Sequence, residues 1–180
     1  MDDAMDGLDF AQEHDQPIPY VARISRYYQT LGYGRPYAWA RYISVPFTPL
    51  ARPLAESCVA LVTTAAPYQP DKGDQGPRAP YNSAAKFYRV YARSIEGEPD
   101  VRVSHVGIDR THTTAEDSRT WFPLAQLKRL AASGRIARLA PRFHGAPTNR
   151  SQRTTIEQDC VDLLAGVRDD GADAAVLVAN

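Results

Sequence analysis

Between His105 and His112 the chain gathers two imidazoles, the carboxylate of Asp109, the guanidinium of Arg110 and the hydroxyl of Thr111. A histidine titrates near neutral pH, so His105 is the candidate acid/base of such a cluster. Asp109 can orient that imidazole or meet a cationic nitrogen. Arg110, and Arg142 further along, carry the two-pronged donor fork that grips a carboxylate. Thr111 and His112 add hydrogen-bonding groups beside them. Plainer uses compete: an ion pair or loop cap for Asp109 and Arg110, and a satisfied core position for His105. His105, Asp109 and His112 have the spacing of one helical face, which would suit a metal, but Gly107 and the neighbouring threonines oppose a helix. No metal site is therefore expected.

A nucleophile is harder to find. Cys58 and Cys160 lie about a hundred residues apart in apolar surroundings, with no CxxC or zinc spacing. Both read as packing residues, buried free thiols of a reducing cytosol. Gly73 and Gly76 stand in a loop without the lysine and serine of a phosphate-binding loop.

With 180 residues and 43% hydrophobic residues the chain has enough material for one core. Its formal net charge of zero conceals an uneven distribution. Residues 1–15 carry six acids and no Lys or Arg, leaving 21 basic against 15 acidic residues in the remainder. Of the basic residues 18 are Arg and three are Lys, without a concentrated basic stripe, so no nucleic-acid partner is expected. There is no signal-peptide layout and no apolar run of spanning length, which points to a cytoplasmic chain without a membrane segment.

Residues 1–19 read as an acidic, poorly ordered lead and 20–180 as an α/β domain. Val21, Ile24, Tyr27 or Tyr28 and Leu31 predict a helix closed by Gly32 and Gly34. Residues 58–64 predict a buried strand, 65–83 a long loop and 101–106 a second strand leading into the His105 cluster. Pro123 opens a helix with Leu124, Leu127 and Leu130 on one side, ended by Ser133-Gly134. A third strand is expected at 136–140. Next comes a helix over 155–168 with Ile156, Cys160, Leu163, Leu164 and Val167 on its apolar face, then a fourth strand at 173–179. This order implies a mostly parallel sheet with flanking helices, three-layered and Rossmann-like. In such sheets the carboxyl ends of the strands hold the ligand. A buried strand rarely closes a domain, so the C-terminal part of the fold is expected to be missing.

Three stretches resemble the selenoprotein B family of glycine, sarcosine, betaine and D-proline reductases. They are Val59-Ala-Leu-Val-Thr-Thr-Ala65, then Ser104-His-Val-Gly-Ile-Asp-Arg-Thr-His112 with Phe122-Pro-Leu-Ala-Gln-Leu, Gly134-Arg-Ile and Leu139-Ala-Pro-Arg-Phe-His144, and finally Asp170-Gly-Ala-Asp-Ala-Ala-Val-Leu-Val-Ala-Asn180. The resemblance covers roughly residues 45–180. Family members continue past the position of Asn180 into a [selenocysteine or cysteine]-Pro-x-Cys-His-Gln motif. The resemblance implies an oxidoreductase that cleaves a C–N bond reductively through a selenolate or thiolate. It implies a nucleophile beyond Asn180, encoded by a UGA read as stop, and no such atom within these residues. The substrate would be a small amine or amino acid, with reductase subunits, one of them pyruvoyl-bearing in some systems, as partners. His105, Asp109, Arg110, Thr111, His112 and Arg142 would line the substrate side, and no cofactor would sit in this chain itself. The alternative is a non-catalytic module of the same fold that binds a small ligand or forms a subunit interface.

Overall fold

The computed structural model describes residues 17, 19–34, 42–72, 79, 81–82, 84–105, 107–109, 111, 115–147 and 151–180. The chain divides into two compact units, Met1–Trp39 and Ala40–Asn180. In the first unit, helix α1 spans Tyr20–Thr30. It ends as its glycines predict, Gly32 taking the left-handed φ of 81° that a side chain would resist.

The second unit is α/β, built on a mixed four-stranded sheet. Strand β1 is Cys58–Thr63, where a β-branched apolar run with no polar alternation is buried at every residue, as a central strand must be. Strand β2 is Ala66–Pro67, β3 is Tyr91–Ser94, β4 is Val101–Arg102, β5 is Arg138–Gly145 and β6 is Ala174–Val178. The sheet order is β3-β5-β1-β6, with β2 and β4 forming a separate two-stranded ladder. Strands β5 and β6 run parallel to β1, and β3 runs antiparallel to β5.

Helix α2, Leu124–Ala132, starts directly after Pro123 and buries Leu124 and Leu127. They join Leu61, Val101, Val103, Trp121, Phe122 and Phe143 in the main core on one face of the sheet. The opposite face meets a longer helical stretch: α3 (Gln152–Thr154), a π-turn (Thr155–Asp159) and α4 (Cys160–Asp169). Its core is small, consisting of Cys58, Ala60 and Ala140 with Val167 and Ala172 packed against them.

Several expectations are corrected here. The strand expected at 101–106 shrinks to two residues paired antiparallel with β2, so it lies outside the parallel sheet and the His105 loop does not follow a parallel strand. Strand β5 begins later than 136 and runs to Gly145. Its pairing with β1 slips so that Val59 faces Leu139 while Leu61 faces Phe143. Pro141 lies within that slip, where a residue without an N–H is tolerated, and its carbonyl accepts from the Ile95 amide at 3.1 Å. A proline in the pattern made the strand look shorter than it is. Strand β3 was not foreseen, because Tyr91-Ala-Arg-Ser94 is exposed at three of its four positions and shows no apolar run.

The apolar face expected for residues 155–168 is also displaced. Cys160, Ile156 and Leu164 are exposed, and the residues turned inward are Asp159, Leu163, Gly166, Val167 and Asp170. The π-turn inserts extra residues per turn, and this rotates the stripe away from a uniform 3.6-residue reading. Cys160 is therefore a surface thiol, whereas Cys58 is buried as expected.

Candidate functional site

Strands β1 and β6 deliver their carboxyl ends to one place. The Thr64 amide donates to the Val178 carbonyl at 3.2 Å. The Asn180 amide donates to Thr64 Oγ1 at 2.8 Å. Thr64 Oγ1 can donate its single proton to Asn180 Oδ1 at 2.8 Å or to the Asn180 carbonyl at 3.1 Å. Asn180 Nδ2 reaches the Trp121 carbonyl at 3.4 Å, and the Trp121 indole donates to the Ala115 carbonyl at 2.9 Å. Beside this clasp the Tyr91 hydroxyl donates to the Ala65 carbonyl at 2.6 Å, and Thr63 Oγ1 accepts from the Ala65 amide at 3.1 Å. Burial pushes the Tyr91 phenol above its ordinary value, so it stays a hydrogen-bond donor. The carboxyl edge, where open α/β sheets hold ligands, thus gathers the hydroxyls of Thr63, Thr64 and Tyr91 and the amide of Asn180, each hydrogen-bonded within the protein.

A second cluster lies on the α4 side of β5. Strand alternation sends Phe143 into the main core and Arg142 and His144 the other way. His144 Nε2 and Asp170 Oδ2 are 2.8 Å apart, and Arg142 Nε donates to Asp170 Oδ1 at 2.8 Å while its Nη2 lies in ion-pair contact with the same oxygen at 2.7 Å. The Asp170 side chain is 3% exposed and that of Arg142 43%. Burial raises the Asp170 carboxyl, but the hydrogen bonds from Arg142 and His144 together outweigh it, and the group ends below its ordinary value. The same bond raises Arg142. A Cβ on Gly166 would stand 2.7 Å from His144 Cε1, so the glycine is what lets the helix close over the imidazole. The His144–Asp170 pair is thus buried between helix and sheet, while Arg142 reaches it from the surface.

The other site residues are divided. Asp109 Oδ1 accepts from the Thr111 amide at 3.0 Å, so that carboxylate caps its own loop. The His105 carbonyl accepts from the Ile108 amide at 3.2 Å, and Ile108 packs against the main core. Arg110 and His112 lie outside the described residues. The His105–Thr111 loop thus belongs to the main-core side of the sheet, while Arg142 is committed to Asp170 on the other. These two parts of the expected substrate wall are not brought together. Among the described residues no group of three His, Cys, Asp or Glu side chains is placed to hold a metal ion. The Cys58 thiol sits at the amino end of β1, away from the carboxyl edge, and burial pushes it up.

Sequence reasoning passed over Thr64, Tyr91, Trp121, His144 within its motif, Asp170 and Arg102. Arg102 is 1% exposed, bonded to Asp100 and to the Val101 carbonyl, with its guanidinium carbon 4.9 Å from the Tyr68 ring centroid. Beside it Tyr68, Arg93, Ser94, Pro99 and Asp100 line an open depression of about 350 Å³. The signals were present but weak: Arg102 alternates between Val101 and Val103, and Gly166 stands within a helix.

No family model, curated protein or solved structure matches this chain. Among the described residues no helix is long and apolar enough to cross a membrane.

Proposed function

We propose that the chain is the substrate-facing portion of a Rossmann-like, cytoplasmic reductase subunit similar to selenoprotein B of the glycine, betaine, sarcosine and D-proline reductases. One observation carries the reading: β1 and β6 end together at the carboxyl edge of the sheet, locked by Thr64 and Asn180 against Trp121. In this reading a selenocysteine or cysteine following Asn180 stands at that edge as the nucleophile. Its ionised form attacks the carbon bearing the nitrogen, the C–N bond breaks, and the amine departs with a proton. The neighbouring thiol then closes a bond to the reacting selenium or sulfur and releases the product, and an external dithiol restores the pair. His105 supplies or takes the proton, and Asp109, Thr111 and His112, which follow it in sequence, would serve the substrate. Arg110 is the guanidinium for a substrate carboxylate, since Arg142 is held by Asp170.

The codons after Asn180 provide the direct test. An in-frame UGA or cysteine codon followed by codons for Pro-x-Cys-His-Gln is the expected result, and any other frame overturns the reading. The extended chain, with its partner subunits and a dithiol, is then expected to release amine in proportion to dithiol oxidised. His105→Ala should lower that rate about 10²–10⁴-fold. A second reading, a non-catalytic interface module, rests on the exposed apolar residues of β6, Val176 and Leu177. An extended protein that is inert toward every amine substrate while the present chain binds a partner subunit would favour it.

A further inference from the structure

Helix α4 and the π-turn before it cover the thin core of the second unit with one side only. Asp159, Leu163, Gly166, Val167 and Asp170 turn inward, while Glu157, Val161, Leu164 and Arg168 are all exposed. Steps of four, three and four residues place these four on one line along the helix. Four residues are close to one turn of either an α-helix or a π-turn, so Glu157 keeps to the line although it sits in the wider turn. Val161 and Leu164 are 58% and 50% exposed, two neighbouring branched side chains on a helix face that would ordinarily be polar. Cys160 and Ala165 flank the line and are small and uncharged, so another helix can approach closely. Asp162 and Asp169 lie further round the helix.

The line is apolar in its middle and oppositely charged at its two ends, and that order specifies the occupant. Laid antiparallel on a second copy of itself, Val161 meets Leu164 and Glu157 meets Arg168, and two-fold symmetry makes each contact twice. Laid parallel, Glu157 would face Glu157 and Arg168 would face Arg168. We propose that the chain forms a two-fold homodimer through α4, the two helices running antiparallel along Glu157, Val161, Leu164 and Arg168. Both charges belong to one helical stretch, so the helix itself fixes their separation and the register of the pair. The contact is small, so the dimer belongs to the weak class.

Sedimentation of the full chain over the micromolar range tests the proposal, with a thiol reductant present so that the exposed Cys160 cannot link two copies. A monomer–dimer equilibrium is expected. Leu164→Glu should raise the dimer Kd by more than about tenfold, since it sets an unpaired carboxylate in the contact. Glu157→Arg and Arg168→Glu should each do the same, because each brings like charges together twice. The double reversal exchanges the signs across the antiparallel contact and should return the Kd to within about threefold of the natural chain. A parallel pair would be indifferent to the single reversals. Asp162→Arg makes the same change of charge off the line and should keep the dimer. The near-ultraviolet signal of Trp121 should be unchanged in every variant, as none of these residues belongs to the main core. The proposal is overturned by a chain that stays monomeric throughout or by a dimer indifferent to Leu164→Glu. It is overturned equally by single reversals that leave the dimer intact, by a double reversal that fails to restore it, or by a dimer lost only on Leu177→Lys.

Discussion

The two faces of the four-stranded sheet are held by different physics. On the α2 side, Leu61, Phe143, Trp121, Phe122, Leu124 and Leu127 interlock, with ring pairs Tyr91–Phe143 and Phe122–Phe143 at 6.0 and 5.1 Å. On the α4 side the apolar contribution is a patch of alanines and Cys58. There the helix is tied by the Arg142–Asp170–His144 bonds, over a glycine that admits the imidazole. One face is stabilised by buried area, which tolerates volume-conserving change. The other depends on a few directed bonds, which lose their value when a single partner goes. The thin face also leaves β6 with Leu177 at 76% exposure on an unpaired edge.

The largest effect belongs to the thick face. Phe143→Ala should cost about 3–5 kcal/mol in urea unfolding, the usual toll for an emptied aromatic site in a core. A cost below about 1 kcal/mol would dissolve the distinction. Asp170→Asn comes next, at about 2 kcal/mol, because it weakens two bonds to a buried acceptor at once. Arg142→Ala should lose less, its side chain being 43% exposed. Gly166→Ala should cost about 1–3 kcal/mol, since the new methyl meets the His144 ring and outweighs the helix propensity gained. A stabilised Gly166→Ala would show that the helix does not close on the imidazole.

Acid sharpens the same contrast. The Asp170 carboxyl is depressed in the folded state from an ordinary value of 3.8. Its contribution is therefore fully present above that value, declines as pH falls below it, and is lost once the lower folded value is passed. Asp170→Asn should flatten the stability–pH curve in that window, whereas Phe143→Leu should shift it without changing its slope. The smallest effect on stability is expected at the edge, where Leu177→Lys should stay within about 0.5 kcal/mol. A large loss there would mean that β6 is covered after all.

Much of the frame was readable from residue order. The run Cys58-Val-Ala-Leu-Val-Thr63, the Pro123 helix start, the Gly32 and Gly134 stops and the final apolar strand were all found, because each is a local preference of φ, of missing donors or of unbroken hydrophobicity. The resemblance supplied the family hypothesis for the site, and His105, Asp109 and Thr111 lie in one loop as their adjacency required.

What the chain order could not contain was which face each group would join. Val101-Arg-Val reads as a strand, yet its partner is Ala66–Pro67 and not the main sheet. Arg142 reads as a carboxylate grip, yet the carboxylate it holds is Asp170, 28 residues on. The stripe Ile156–Cys160–Leu164 reads as buried, yet a π-turn rotates it outward. Local propensity is set by a residue and its near neighbours. Register, phase and ion-pair partnership are set by whichever distant surface packs against them, and only the folded chain decides that.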